Sequence, residues 1–327
     1  MIFLIFLWLL PAYAAKCTPH RRGIRREWGS LSSLERINYI EAVQCMQQLP
    51  PVLSQEVILA ARNRMDDFTA VHINYTMHIH LNGALLGWHR EYLWLWEQAL
   101  REDCGYQGYL PYWDWTLYPD LPNSPIFDGS STSLSGDGNP DENYCVTTGP
   151  FAYMQLNFHD DNGSFEELPV TAYDYSPRCL RRQLNSTVIN THANADVVAR
   201  LLASPDISTY QERNDAPMDP TKRRNGVGVH IAGHQALGLS MHDFFASPQD
   251  PAFMLHHAML DRVWAIWQAQ EGAKQRWAVN GTMSLYNAPT TPEITLDTVF
   301  EFGVLGRPKT VRELMNPEAY DYCYAYE

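Results

Sequence analysis

Histidine is the residue type whose spacing suggests chemistry in this chain. His230 and His234 are four residues apart. On one helix that spacing puts both imidazoles on the same face with Cβ atoms about 6 Å apart, close enough to share a metal ion. His257 follows on the next helical stretch and supplies a third ligand if the two helices pack antiparallel. Its neighbour His256 is rotated by about 100°, so only one of the pair points readily into the same site.

The N-terminal half carries a second set. His72 and His80 are eight residues apart, slightly over two turns, and His89 lies beyond the break at Asn82-Gly83. His78 is offset by two from His80, nearly the opposite face of a helix, and is not expected as a co-ligand. A lone pair of histidines at helical spacing is weak evidence of a metal. Two separate triads, His72, His80 and His89 against His230, His234 and His257, are much stronger. Imidazole donors alone suit copper, nickel or zinc without choosing among them. A zinc hydrolase ranks last, because no HExxH-type base stands beside these histidines.

The elements that must position these residues read as helices. Ser32 and Glu35 have capping-box spacing, and Leu34, Ile37, Ile40, Val43 and Met46 recur at helical intervals up to Pro50-Pro51. Further helices are expected over about 54–80, 85–101 and 192–203. A last one runs from 251 to about 270, with Asp250 as its N-cap and Pro251 at the first helical position. Residues 105–180 are crowded with Gly, Pro, Ser, Asp and Asn and read as long ordered loops. The tail to 327 is strand-like in patches. The expected fold class is therefore mainly α: a helical bundle carrying the metal site, with large irregular loops and a few short strands. No internal repeat or separating linker breaks it up, so residues 16–327 read as one domain.

Of the 327 residues, 45% are hydrophobic and 19% charged, a globular balance. The net charge of −13 and the absence of basic patches argue against nucleic acid as a partner. Residues 2–10 form an apolar run too short to span a bilayer. Pro11 and the Ala12-Tyr13-Ala14 triplet follow, so residues 1–15 read as a signal peptide, although no Lys or Arg precedes the run. The expectation is a secreted protein with no membrane attachment after signal removal. All six cysteines lie beyond that point and none forms a CxxC pair, which points to disulfides rather than a thiolate site. The pairing expected is Cys17 with Cys45, stapling the N-terminus to the first helix. Sequons at Asn162, Asn185 and Asn280 are compatible with glycosylation, and a fourth at Asn74 falls inside an expected helix. Oligomeric state is not readable from these patterns.

The segment HLNGALLGWHREYLWLWE, with Trp88-His89-Arg90 and Glu97, resembles the first copper motif of the tyrosinase and catechol oxidase family, apart from Leu85 where a Phe is usual. The segment DPAFMLHHAMLD, Asp250 to Asp261, is similar to the second motif throughout, and Pro111-Tyr112-Trp113-Asp114-Trp115 to another family signature. The likeness spans roughly residues 17–326 and is nearest to short, secreted fungal-type members. It implies two copper ions, one held by His72, His80 and His89 and the other by His230, His234 and His257. The choice of His257 over His256 follows from the motif's spacing to Asp261. It further implies O2 as co-substrate and a small phenolic substrate, with the copper pair as the whole of the catalytic machinery.

Departures from the family pattern refine this. Many monophenol-active relatives have an Asn directly after the first histidine of the second triad and an upstream Glu; here the positions are Ile231 and the glutamate-free stretch 220–229. Phe244, followed by Phe245, stands where the family carries a gate over the first copper. These features shift the expectation toward oxidation of o-diphenols or o-aminophenols to o-quinones. The alternatives are a tyrosinase that also hydroxylates monophenols, for example in secondary metabolism, and a non-catalytic, hemocyanin-like oxygen binder. His78 replaces the Cys of a Cys-x-His thioether seen in some relatives, so no thioether is expected, and His78 and His256 are placed around the ligands rather than among them. Asp261, one turn beyond His257, is a candidate for positioning that helix or for an ordinary salt bridge to an Arg. Because the chain ends soon after Tyr322-Cys323-Tyr324, without the extension that plugs latent relatives, activity without proteolytic removal of a lid is expected.

Overall fold

The computed structural model describes residues 17–160, 167–215 and 227–327. The signal-peptide segment, the sequon at Asn162 and residues 220–226 of the glutamate-free stretch lie outside the described residues. The first helix, α1 (Ser33–Gln48), opens on the expected capping box between Ser32 and Glu35. The second, α2 (Arg64–Ile79), begins ten residues later than its pattern suggested. Asn63 and Asp66 form a capping box there, and the Asp67 carboxylate accepts the main-chain N–H groups of Val52 and Leu53 at 2.8 and 3.0 Å. Those bonds satisfy the preceding chain as turns folded over the helix start. Next comes α3 (Leu85–Glu102), entered through a sharp corner at Asn82-Gly83. A Cβ on Gly83 would stand 2.3 Å from the Asn280 carbonyl oxygen, so only glycine lets the corner pass.

After the long loops come α4 (Ser186–His192), α5 (Ala195–Leu202) and α6 (Ile207–Asn214). Then follow α7 (Val229–Leu237), the single turn α8 (Leu239–His242), α9 (Ala252–Gln270), and the short turns α10 (Ala273–Arg276) and α11 (Val311–Leu314). The helix α9 starts one residue after the expected position, with the Asp250 carboxylate accepting the N–H of Ala252 at 2.9 Å. The same carboxylate takes a two-pronged ion pair from buried Arg182, at 2.6 and 2.9 Å, which pins the approach to α9. Packing of α3 on α9, α7 on α9 and α2 on α3 makes the bundle. Trp28, Trp88, Trp96, Trp113, Trp115 and Trp267 fill its core, each at most 1% exposed.

The strands are two to five residues long and come in pairs: β1 (Gly23–Arg25), β2 (Gly138–Asn139), β3 (Cys145–Val146), β4 (Gln155–Phe158), β5 (Tyr175–Cys179), β6 (Val299–Phe300), β7 (Lys309–Thr310) and β8 (Tyr324–Tyr326). Strand β1 runs parallel to β8, with Gly23 opposite Tyr324, so the two ends of the described chain lie side by side. That pairing corrects the expected disulfide. Cys17 bonds to Cys323, Cys45 to Cys104, and Cys145 to Cys179. Sequence proximity favoured Cys17 with Cys45, but the β1–β8 contact brings Cys17 within 5.3 Å of Cys323, Cα to Cα. The end of α1 lies against the end of α3, 5.9 Å between Cys45 and Cys104. Among the described residues no helix is long and apolar enough to cross a membrane.

Candidate dinuclear metal site

The first triad is assembled by α2, its C-cap and α3. His72 lies inside α2, His80 caps its end, and His89 sits on α3. All three are buried, with ring centroids 4.9 to 5.7 Å apart. Each donates Nδ1–H to a main-chain carbonyl: His72 to Phe245 at 2.7 Å, His80 to Thr76 at 3.0 Å and His89 to Leu85 at 2.9 Å. That fixes the tautomer and leaves Nε2 free to act as a donor atom. The Nε2 atoms of His72 and His89 are buried and have no hydrogen-bond partner, an arrangement that fits a metal ion between them.

The second triad uses α7 and α9. His230 and His234 share a face of α7, and their Nε2 atoms stand 3.2 Å apart; the Nε2 of His257 is also 3.2 Å from that of His234. By distance alone His256 belongs to the same group. Its nitrogens are both engaged, however: Trp115 donates its indole N–H to Nδ1 at 3.1 Å, and Nε2–H donates to the main-chain carbonyl of His230 at 2.9 Å. Without a free lone pair it braces α7 against α9. Gly233 permits that brace, since a Cβ there would lie 2.0 Å from the His256 ring. The HIAGH string held this signal, although the sequence reading passed over the glycine. The two triads face one another, with His89 stacked on His257 at 4.4 Å and His80 parallel to His230 at 6.0 Å.

Burial sets the protonation. It pushes the imidazolium of His72 down to about 3, and burial together with neighbouring histidines holds His80, His89, His234, His256 and His257 well below the ordinary histidine range. Five of the proposed ligands, His72, His80, His89, His234 and His257, are therefore held in the neutral form that metal binding requires.

The remaining predicted residues fall around this centre with the exception of His78, which was expected beside the ligands. His78 is exposed and turned toward the Met283 carbonyl at 3.2 Å, away from both triads. Phe244 is half-buried with its ring 5.1 Å from that of His80, and Ile231 is half-buried on α7 beside His230. Asp261 is buried and does both things considered for it. It accepts from Arg90 at 2.6 Å and from the Tyr324 and Tyr326 hydroxyls at 2.7 and 2.6 Å, so the salt bridge ties α9 to α3 and to β8. Arg90 and Arg25 beside it hold its carboxyl below the usual range against the opposing effect of burial. One site residue escaped the sequence reading: Asp215, whose carboxylate accepts Nδ1–H from His230 at 2.5 Å. It lies fifteen positions upstream, outside the window in which an acidic partner was sought.

The profile described as the common central domain of tyrosinase matches residues 62–270, which contain both triads. The chain belongs to the tyrosinase family. It is 49% identical over 329 residues to Tyrosinase P of Aspergillus terreus, covering 93% of this chain and 91% of that protein. It is 41% identical over 351 residues to N-acetyl-6-hydroxytryptophan oxidase ivoB of Emericella nidulans, covering 95% and 94%. Among solved structures, a mutant polyphenol oxidase from Thermothelomyces thermophila superposes with a TM-score of 0.86 at 34% identity, over 95% of this chain and 90% of that one. This tyrosinase-family chain is accordingly a copper oxidoreductase of the phenol oxidase type, and its two histidine groups suit a dicopper site.

Proposed function

We propose that the protein is a secreted dicopper oxidase that converts o-diphenols, or o-aminophenols, to o-quinones with O2. His72, His80 and His89 hold one copper; His230, His234 and His257 hold the other. The observation that carries this reading is the pair of facing triads, five of whose six imidazoles have Nδ1 engaged from behind. The copper pair, when bound, supplies the redox chemistry that couples phenol oxidation to reduction of O2.

The chain's own residues do the rest. His234 is the half-buried member of the set while the other five are buried, so substrate approaches on the His234 side, between Ile231 and Phe244. Both flanks are apolar and grip an aromatic ring, and neither can hold a water for deprotonating a monophenol. Asp215 reaches the second triad only behind His230, at Nδ1, on the far side of the ring from the Nε2 atoms. It therefore does not act as a base toward a phenol, which supports diphenol or aminophenol oxidation over hydroxylation. The named activity of the Emericella relative, oxidation of a hydroxylated tryptophan derivative, supports a small aromatic metabolite as substrate class. Three disulfides support an oxidising, extracellular location.

The test is oxygen uptake by the copper-reconstituted protein with a simple catechol, the matching monophenol and an o-aminophenol, beside a His257→Ala control. Uptake with the catechol or the aminophenol, none with the monophenol and loss of activity in the control is the expected result. Prompt monophenol hydroxylation overturns the substrate preference, and no uptake with any phenol overturns the enzyme reading in favour of oxygen binding.

A further inference from the structure

His230 differs from its neighbours in what stands behind it. His72, His80, His89 and His234 each donate Nδ1–H to a neutral main-chain carbonyl, whereas His230 donates to the carboxylate of Asp215. Asp215 is 1% exposed, and among the described residues no lysine or arginine pairs with it. Its second oxygen, Oδ2, is buried and has no hydrogen-bond partner among the described residues. Its backbone is held in place: Asp215 caps the C-terminal end of α6, and its carbonyl accepts the N–H of Gly228, the N-cap of α7, at 2.6 Å. A Cβ on Gly228 would lie 2.3 Å from the Asn214 carbonyl oxygen and 2.6 Å from the Asp215 nitrogen, so glycine is required for this approach.

A buried carboxylate without a cationic partner is costly unless positive charge is supplied nearby. The imidazole it touches is a conduit: an anionic acceptor at Nδ1 polarises the ring and strengthens Nε2 as a donor more than a carbonyl does. We propose that Asp215 is a positioning residue that fixes His230 and makes the metal of the second triad more tightly held and harder to reduce than that of the first. The proposal rests on the dicopper reading above, and it gives a nearly symmetrical set of six imidazoles an electronic asymmetry.

The test compares wild type with Asp215→Asn and Asp215→Ala. Cu(I) affinity is read by competition with bicinchoninate, copper per chain after chelator dialysis, and the midpoint potential of the bound copper by spectroelectrochemical titration. In Asp215→Ala one of two coppers is expected to weaken by about 10- to 100-fold while the other is retained, the usual consequence of removing an outer partner of a ligand. Asp215→Asn keeps an acceptor of the same shape but not the charge. It is expected to retain more copper than the alanine variant while its midpoint potential rises above wild type, a shift that a purely structural role would not produce. Circular dichroism verifies folding, and if the alanine variant fails to fold, the isosteric asparagine variant decides. Wild-type affinity and potential in a folded Asp215→Asn protein overturn the proposal. If the wild type binds two coppers with the expected asymmetry yet oxidises no phenol, the oxidase reading fails and the role of Asp215 stands; a wild type that binds no copper overturns both.

Discussion

At the residue scale, adjacent positions of like chemistry are separated by what they touch. His256 and His257 follow one another on α9, yet one has both ring nitrogens satisfied by Trp115 and His230 while the other faces His234 across 3.2 Å. The same logic applies to Phe244, half-buried with its ring 5.1 Å from that of His80. If that ring narrows the approach, Phe244→Ala raises kcat/KM for catechols bearing a bulky substituent by about tenfold, the effect of roughly 1.4 kcal/mol at the transition state, and changes simple catechol much less. Steady-state kinetics on a graded series of substituted catechols measures this. Equal effects on small and bulky members would remove Phe244 from the gate.

At the element scale, α3 and α9 each supply one ligand candidate, and their spacing is held by a buried ionic cluster one turn away. Asp261 on α9 receives Arg90 from α3, and Arg25 from β1 stands 3.6 Å off while pairing with Glu97 at 3.0 Å. Removing the anion strands Arg90 in the core, a change that costs about 3 kcal/mol or more for a buried pair. Asp261→Asn is therefore expected to melt about 5 °C lower than wild type by calorimetry, given the unfolding entropy of a chain this size. A melting temperature unchanged within one degree would show that the other acceptors of Arg90, the Leu314 carbonyl and the Gln268 side-chain oxygen, each at 3.0 Å, suffice. The element boundaries that sequence patterns missed have local causes. The start of α2 moved because Asp66 and Asp67 bind main-chain N–H groups upstream, a competition between side chain and helix that periodicity does not register.

At the scale of the whole molecule, the buried histidines make stability depend on pH. His72 has its protonation pushed down to about 3 in the folded state, below the ordinary value near 6.5 of the unfolded chain. As pH falls through 6.5 the unfolded chain takes up a proton first, so the contribution is complete above pH 6.5 and declines by about 1.4 kcal/mol per pH unit for each such group below it. Asp66 acts in the opposite sense, because burial pushes its carboxyl up to about 6 and its protonation favours the fold as pH drops. Glu27 and Glu91, whose carboxyls burial also pushes up, act with Asp66, but seven histidines are shifted the other way, so the net slope follows the histidines. Urea midpoints of the metal-free protein are expected to fall steeply between pH 7 and pH 5, and a flat profile would contradict the neutral imidazole set.

The sequence by itself determined what recurs locally. Helix α1 with its capping box, the same-face placement of His230 and His234, and the exclusion of His78 all follow from a 3.6-residue period and short-range hydrogen bonding. Five of the six proposed ligands could be grouped from spacing because they sit on, or cap, neighbouring helices, while the choice of His257 over His256 came from the likeness to the family motif. What only the tertiary structure decided depends on contacts between distant segments. Cys17 finds Cys323 because β1 pairs with β8, a juxtaposition to which no local pattern points. Asp215 finds His230 because α6 turns back onto the start of α7, and a search for an acid at fixed spacing cannot follow a chain reversal of arbitrary length. His256 and His257 are distinguishable without a family motif only when Trp115 and Gly233 are in place around them, since a hydrogen bond is decided by geometry in three dimensions and a periodicity describes only one.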